Sequence, residues 1–139
     1  MQTIKQLSIF IENKMGELTQ VTKLLSQNGL SIKSINLAEA SDFGLLRVIV
    51  DEPQKAKEVL DGAGFSLKIS DVIAVSIDDH IGSFNEVVNL FYENGINIEY
   101  TYTVSADKRG AFVFKVTPTK LSQAIKLLQE NSIAIVKSF

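Results

Sequence analysis

The chain repeats itself. Shifted by 66 positions, it pairs Ile11 with Ile77, Gly16 with Gly82, Val21 with Val87, Leu24 with Leu90 and Asn28 with Asn94. The same register continues through Gly29/Gly95, Ile32/Ile98, Ala40/Ala106, Gly44/Gly110 and Val50/Val116 without a gap. These ten identities fall between Leu7 and Val50, where random pairing at ordinary composition would give roughly three. Substitutions such as Ile9/Val75, Glu12/Asp78 and Leu30/Ile96 keep the chemistry. Duplication at this period restricts the fold to two copies of one small unit.

Each copy carries the same signals in the same order. Leu7, Ile9 and Ile11 alternate with Ser8 and Phe10, and Ile73, Val75 and Ile77 alternate with Ala74 and Ser76, which is strand period. A glycine turn follows, Asn13-Lys14-Met15-Gly16 or Asp79-His80-Ile81-Gly82. Leu18, Val21, Leu24 and Leu25, and Phe84, Val87, Val88 and Phe91, then fall at helical spacing on one stripe. Both helices run into Asn-Gly, where glycine accepts the left-handed backbone that ends a helix. A second strand is expected over 30–37 and 96–104, with Gly44 and Gly110 in the turns before a third over 45–50 and 111–116. A second helix starts near Pro53 or Pro118, suited to a first turn because the missing N–H has no partner there. Short strands over 66–70 and 133–137 close the copies, and Asp71 alone separates the first of these from the next copy.

The order β-α-β-β-α-β, twice, predicts an α+β fold of two ferredoxin-like repeats, 1–70 and 71–139. Each has an antiparallel sheet with its helices on one face. Units of about 66 residues bury only about 60% of their unfolded surface and gain from being joined.

Composition narrows the function. With 139 residues, 45% apolar and 22% charged, the chain has enough for a real core. It has no cysteine, so disulfides, thiolate metal sites and cysteine nucleophiles are excluded. No apolar run exceeds four residues, and no signal peptide is visible. The expectation is a cytoplasmic protein away from membranes. Net charge is −2, and residues 1–66 and 67–139 each hold 7 basic and 8 acidic side chains. No basic stripe marks a nucleic-acid footprint.

The glycine turns are the chemical feature. Each delivers backbone N–H groups at a helix N-terminus, where the dipole favours a carboxylate. Gly16 and Gly82 permit close approach of backbone to a ligand. Asn13, Asp79 and Asn97 offer acceptors for an ammonium group. Met15, Leu18 and Ile81 offer apolar contact, and His80 stands within the second turn. The same residues also serve as ordinary turn and cap chemistry. A lone histidine makes a poor metal site, and none is expected. His80 has no candidate nucleophile beside it, and no phosphate-binding glycine motif is present, so neither catalysis nor a cofactor is expected. Tyr100, Tyr102, Phe112 and Phe114 could stack bases if exposed, or else fill an interface.

A Val/Ile-rich strand, an Asn/Asp-x-x-Gly turn into a helix, then Asn-Gly-hydrophobic-x-Ile resembles the ACT domain. The pattern occurs twice: Asn13 to Gly16 with Asn28-Gly29-Leu30-Ser31-Ile32, and Asp79 to Gly82 with Asn94-Gly95-Ile96-Asn97-Ile98. The resemblance implies small regulatory modules that bind a free amino acid and pair side by side, here two copies with no fused enzyme. It departs from the family in carrying Met15 and Ile81 where proline commonly precedes the turn glycine, and Ser31 where copy two has Asn97. The expected function is amino-acid sensing in amino-acid metabolism, as a homodimer acting on a partner enzyme or regulator. The alternative is a ligandless pairing module.

Overall fold

The computed structural model describes residues 2–106 and 109–139. In chain order the elements are β1 (Ile4–Glu12), α1 (Glu17–Gln27), β2 (Ile32–Ala40), β3 (Phe43–Val50), α2 (Pro53–Gly62) and β4 (Ser66–Ile77). They continue with α3 (Ser83–Glu93), β5 (Ile98–Ala106), β6 (Arg109–Val116), a 3-10 turn (Pro118–Lys120), α4 (Leu121–Glu130) and β7 (Ala134–Val136). Two compact units result: Lys5–Ser70, and Met1–Ile4 with Asp71–Phe139.

Strand order is the same in both. The first unit reads β2-β3-β1-β4 and the second β5-β6-β4-β7. Each places the third strand of its copy between the first and the second, antiparallel to both, which is the split βαβ plan. Even an irregularity is duplicated, between Ile32 and Ser34 in β2 and between Ile98 and Tyr100 in β5.

Each unit has its own core. In the first, Leu7, Ile9 and Ile11 of β1 and Leu46 and Val48 of β3 pack under Val21 and Leu25 of α1 and Leu60 of α2. In the second, Ile73, Val75 and Phe114 pack under Val87, Phe91, Ala124 and Leu128. Phe112 packs against that cluster and Phe114 is fully buried in it, so these two rings are not exposed for base stacking and fill the core of their own repeat. Tyr100 and Tyr102 pair with Lys115 and Val113 and so lie on the other sheet face. Their rings stack on each other at 6.4 Å.

Helix ends explain where the expected boundaries shift. Gly29 and Gly95 both take φ +69°. Their N–H groups donate to Ser26 and Tyr92, and the following Leu30 and Ile96 donate back to Leu25 and Phe91, each at 2.9 Å. That is the Schellman arrangement. It occupies the N–H of residues 30 and 96, so the second strands begin at Ile32 and Ile98, not two residues earlier. The same motif takes Ile133 from β7, with Ser132 in the glycine role at φ +56°.

Three further expectations are corrected. Asp71 is no break, because β4 runs through it, and its carboxylate accepts a hydrogen bond from the Thr3 hydroxyl at 3.2 Å. Gly44 and Gly110 lie inside β3 and β6, not in turns. Pro118 opens the 3-10 turn, and α4 starts only at Leu121.

Candidate functional site

The two turns share one backbone. Gly16 and Gly82 are the N-caps of α1 and α3, at φ +94° and +90°. The Lys14 and His80 N–H groups donate to Glu12 and Asp78 at 3.0 Å, and those of Glu17 and Ser83 to Lys14 and His80 at 3.4 and 3.2 Å. An added Cβ at either glycine would meet nothing within 4 Å. Glycine is therefore required by the left-handed backbone, not by crowding.

The first turn is tied to the β2–β3 hairpin. The Asn13 backbone N–H donates to Asp42 at 3.0 Å, and its side-chain amide donates to Ser41 at 3.4 Å. Beside it lies a cavity of about 330 Å³ lined by Ile11, Glu12, Asn13, Lys14, Glu17, Leu18, Leu37, Ala38, Glu39 and Gly44. Gly44 helps to make the space, since a Cβ there would come within 3.0 Å of Leu37 Cδ1. The Lys14 ammonium stands 3.0 Å from Glu12 and 3.7 Å from Glu17. The hydrogen bond it donates to Glu12 and the charges of both glutamates hold its pKa above the ordinary lysine value.

The second turn is closed differently. The Ser83 hydroxyl lies 2.6 Å from the Asp78 carbonyl and 2.8 Å from that of His80, so its one proton is shared across the loop. His80 Nε2 stands 3.9 Å from Glu86. A cavity of about 230 Å³ here is lined by Ser76, Ile77, Asp78, His80, Ser83, Glu86, Val87, Ser132, Ile133 and Ala134. Phe84, at the position of Leu18, leans on Phe112 and Phe114 at 4.7 and 5.7 Å.

The structure gathers some of the predicted residues and separates others. Asn13 and Leu18 line the first cavity and His80 the second. Gly16 and Gly82 set the turns. Met15 and Ile81 are fully exposed at the turn tips and line neither cavity. Asp79 and Asn97 also lie outside the linings. Asn97 precedes the end of β5 that pairs with Val116, whereas the second turn follows Ile77, which pairs with Gly110. The six residue steps along β6 from Gly110 to Val116, at ~3.4 Å each, put Asn97 about 20 Å from its own turn.

Glu12, Lys14, Glu17, Leu37 and Glu39 line the first cavity without having been expected there. Leu37 and Glu39 are far from the turn in sequence and come beside it only through sheet register, Ile11 opposite Gly44 and Gly44 opposite Glu39. The duplicated Gly44/Gly110 pair was the available signal. Among the described residues, no three His, Asp or Glu side chains gather to hold a metal ion, and no helix is long and apolar enough to cross a membrane.

Comparison with known proteins agrees with this architecture. A family model described as an ACT domain pair matches residues 2–138. The acetolactate synthase small subunit of Buchnera aphidicola subsp. Baizongia pistaciae is 30% identical over 95 residues, 68% of this chain and 59% of that protein. The chain thus spans less than two thirds of that relative. Protein BT0572 from Bacteroides thetaiotaomicron superposes with a TM-score of 0.90 at 32% identity, over 97% of this chain and 92% of that one. The regulatory subunit of aspartate kinase from Thermus thermophilus shares the fold, with a TM-score of 0.65 at 15% identity over 91% of each chain. The duplicated βαββαβ order, the paired glycine turns and these matches carry one conclusion: the chain belongs to the ACT domain pair family.

Proposed function

We propose that this chain is an amino-acid-binding regulatory protein of amino-acid metabolism, made of two ACT-like repeats, 1–70 and 71–139, and working in the cytoplasm on a partner enzyme or regulator. The cavity beside the first turn carries the reading. It combines helix N-terminal amides and an ammonium at Lys14 for a carboxylate, glutamates for an ammonium, and apolar walls for a side chain. A volume of about 330 Å³ suits a small zwitterion. The relative named for an acetolactate synthase small subunit supports a role beside a metabolic enzyme.

Pairing with a second copy is part of the proposal. β2 is an edge strand of its sheet, and Ile35 and Leu37 on it are 45% and 48% exposed. An apolar edge with free backbone groups invites strand pairing. Ile35→Lys should shift the mass measured by light scattering from dimer to monomer; an unchanged mass would exclude this edge.

Thermal melting with each common amino acid tests the ligand. A specific one at 100 times its Kd adds about 2.7 kcal/mol, several degrees of Tm for a chain of this size. If every amino acid leaves the melt unmoved, the ligandless pairing module replaces the sensor.

A further inference from the structure

Away from both turns, the first repeat carries a groove of about 680 Å³ whose walls include Lys5 of β1, Pro53 and Lys57 of α2, and Leu67, Lys68 and Ile69 of β4. Successive side chains of a strand face opposite ways. A groove touching three consecutive residues of β4 therefore meets the strand's backbone edge as well as one face. In the first unit β4 is the outer strand beside β1, and its pairings with β6 and β7 take in only residues 73–77. Among the described residues, no strand pairs with the far side of 66–70. An outer strand of this kind offers backbone N–H and C=O groups to which an extended chain can add.

The side chains along the groove set the chemistry of what would add there. Leu67 and Ile69 are half-buried against the first core, and Pro53 is half-buried as well, which gives an apolar floor. Lys5 and Lys68 are exposed, and the Lys57 ammonium is held by Asp61 at 2.5 Å, one turn along α2. Among the described residues lining the groove, none is acidic. In a chain of net charge −2, three lysines on one groove are a local excess of positive charge. Lysine on an edge strand repels the same strand of a second copy, whereas it attracts carboxylates. The second repeat lacks the feature. Aligned on the buried pairs Ala56/Ala124 and Leu60/Leu128, it has Ile125 and Val136 for Lys57 and Lys68, and Asp71 stands for Lys5.

We infer that the 66–70 edge of β4 docks an extended acidic segment of the partner protein. The segment's backbone lies alongside β4, its carboxylates toward the three lysines and its apolar side chains on Leu67 and Ile69. This rests on the reading that the chain acts on a partner, and it names the surface and the partner's chemistry.

NMR titration of the full chain with a short blocked peptide alternating glutamate and valine is the test. It is run beside the lysine–valine peptide and sodium pyrophosphate, with amide exchange followed residue by residue. The glutamate peptide alone should shift residues 66–70 and slow exchange there at alternate amides, the mark of a newly paired strand. Lys68→Glu, at an exposed position, should keep the dispersed spectrum of the folded chain and weaken the peptide about fivefold. Lys57→Gln should weaken it less. No shift from the glutamate peptide, equal shifts from the lysine peptide, or binding indifferent to Lys68→Glu would overturn the proposal. Pyrophosphate shifts matching those of the peptide would also overturn it, in favour of a small-anion site. The amino-acid melt is read separately. A melt shift beside a silent peptide strikes this surface and leaves the sensor standing, whereas peptide binding with every amino acid inert strikes the sensor alone.

Discussion

Two copies of one turn, with matching hydrogen bonds and glycines within a few degrees of each other in φ, have different surroundings. In the first, position 18 is leucine, still 39% exposed, and a cavity opens toward β2. In the second, the matching Phe84 has swung onto Phe112 and Phe114, and Ser83 stitches the loop where the first copy has Glu17. A backbone frame survives duplication because φ and hydrogen bonds fix it. Side chains are free to divide the labour: one copy keeps an open apolar wall, while the other invests its larger rings in its core.

The largest way to break this comparison is in the cores. Phe114→Ala removes a fully buried ring and should cost about 3–5 kcal/mol. The matching Val48→Ala should cost about 2 kcal/mol, at ~0.8 kcal/mol per methyl-sized group plus a small cavity. Chemical denaturation of both variants checks the contrast, and equal losses would deny that the second core leans more on its aromatic cluster.

Next come the turns. Gly16→Val and Gly82→Val force a β-branched residue to φ near +90°, and each should cost about 1–3 kcal/mol. Their effects on ligand should separate: Gly16→Val abolishes the amino-acid-induced melt shift and Gly82→Val keeps it. The reverse outcome would move the site to the second repeat.

A smaller effect sharpens the helix ends. Ser132 occupies the left-handed position that glycine holds at 29, 64 and 95. Ser132→Gly should stabilise by about 1 kcal/mol, read from the denaturation midpoint.

The smallest is acid sensitivity. Asp51 accepts the Ser31 N–H at 2.9 Å and that of Glu52 at 3.1 Å. The Ser31 donor above all holds its carboxyl below the usual carboxylate range. Folded, the group binds protons less readily than unfolded. Its contribution is therefore present above the ordinary carboxylate value and fades as pH falls through that value toward the folded one. The second repeat has Thr117 at this position. Asp51→Thr should flatten the acid limb of the stability profile slightly, measured as denaturation midpoint against pH.

Much of the fold was legible because it is local. Alternating Leu7, Ile9 and Ile11, the stripe on α1, Pro53 and the Asn-Gly ends each act through neighbours within a turn or two. The site was half legible for the same reason. Gly16 and Gly82 announced the turns, yet Met15 and Ile81, chosen for proximity in sequence, point to solvent at the tips. Asn97, adjacent to its helix end, is carried to the far end of its sheet by register.

By itself the sequence determined the duplication, the element order, the apolar stripes of both cores and the left-handed Gly29 and Gly95 at the helix ends, since periodicity and backbone sterics are written residue by residue. Only tertiary structure decided that β4 runs unbroken through Asp71, that Leu37 and Glu39 stand beside the first turn, and that Phe84 lies against Phe112 and Phe114. Those outcomes depend on strand register and on how side chains of unequal volume share a core, quantities set by residues distant along the chain.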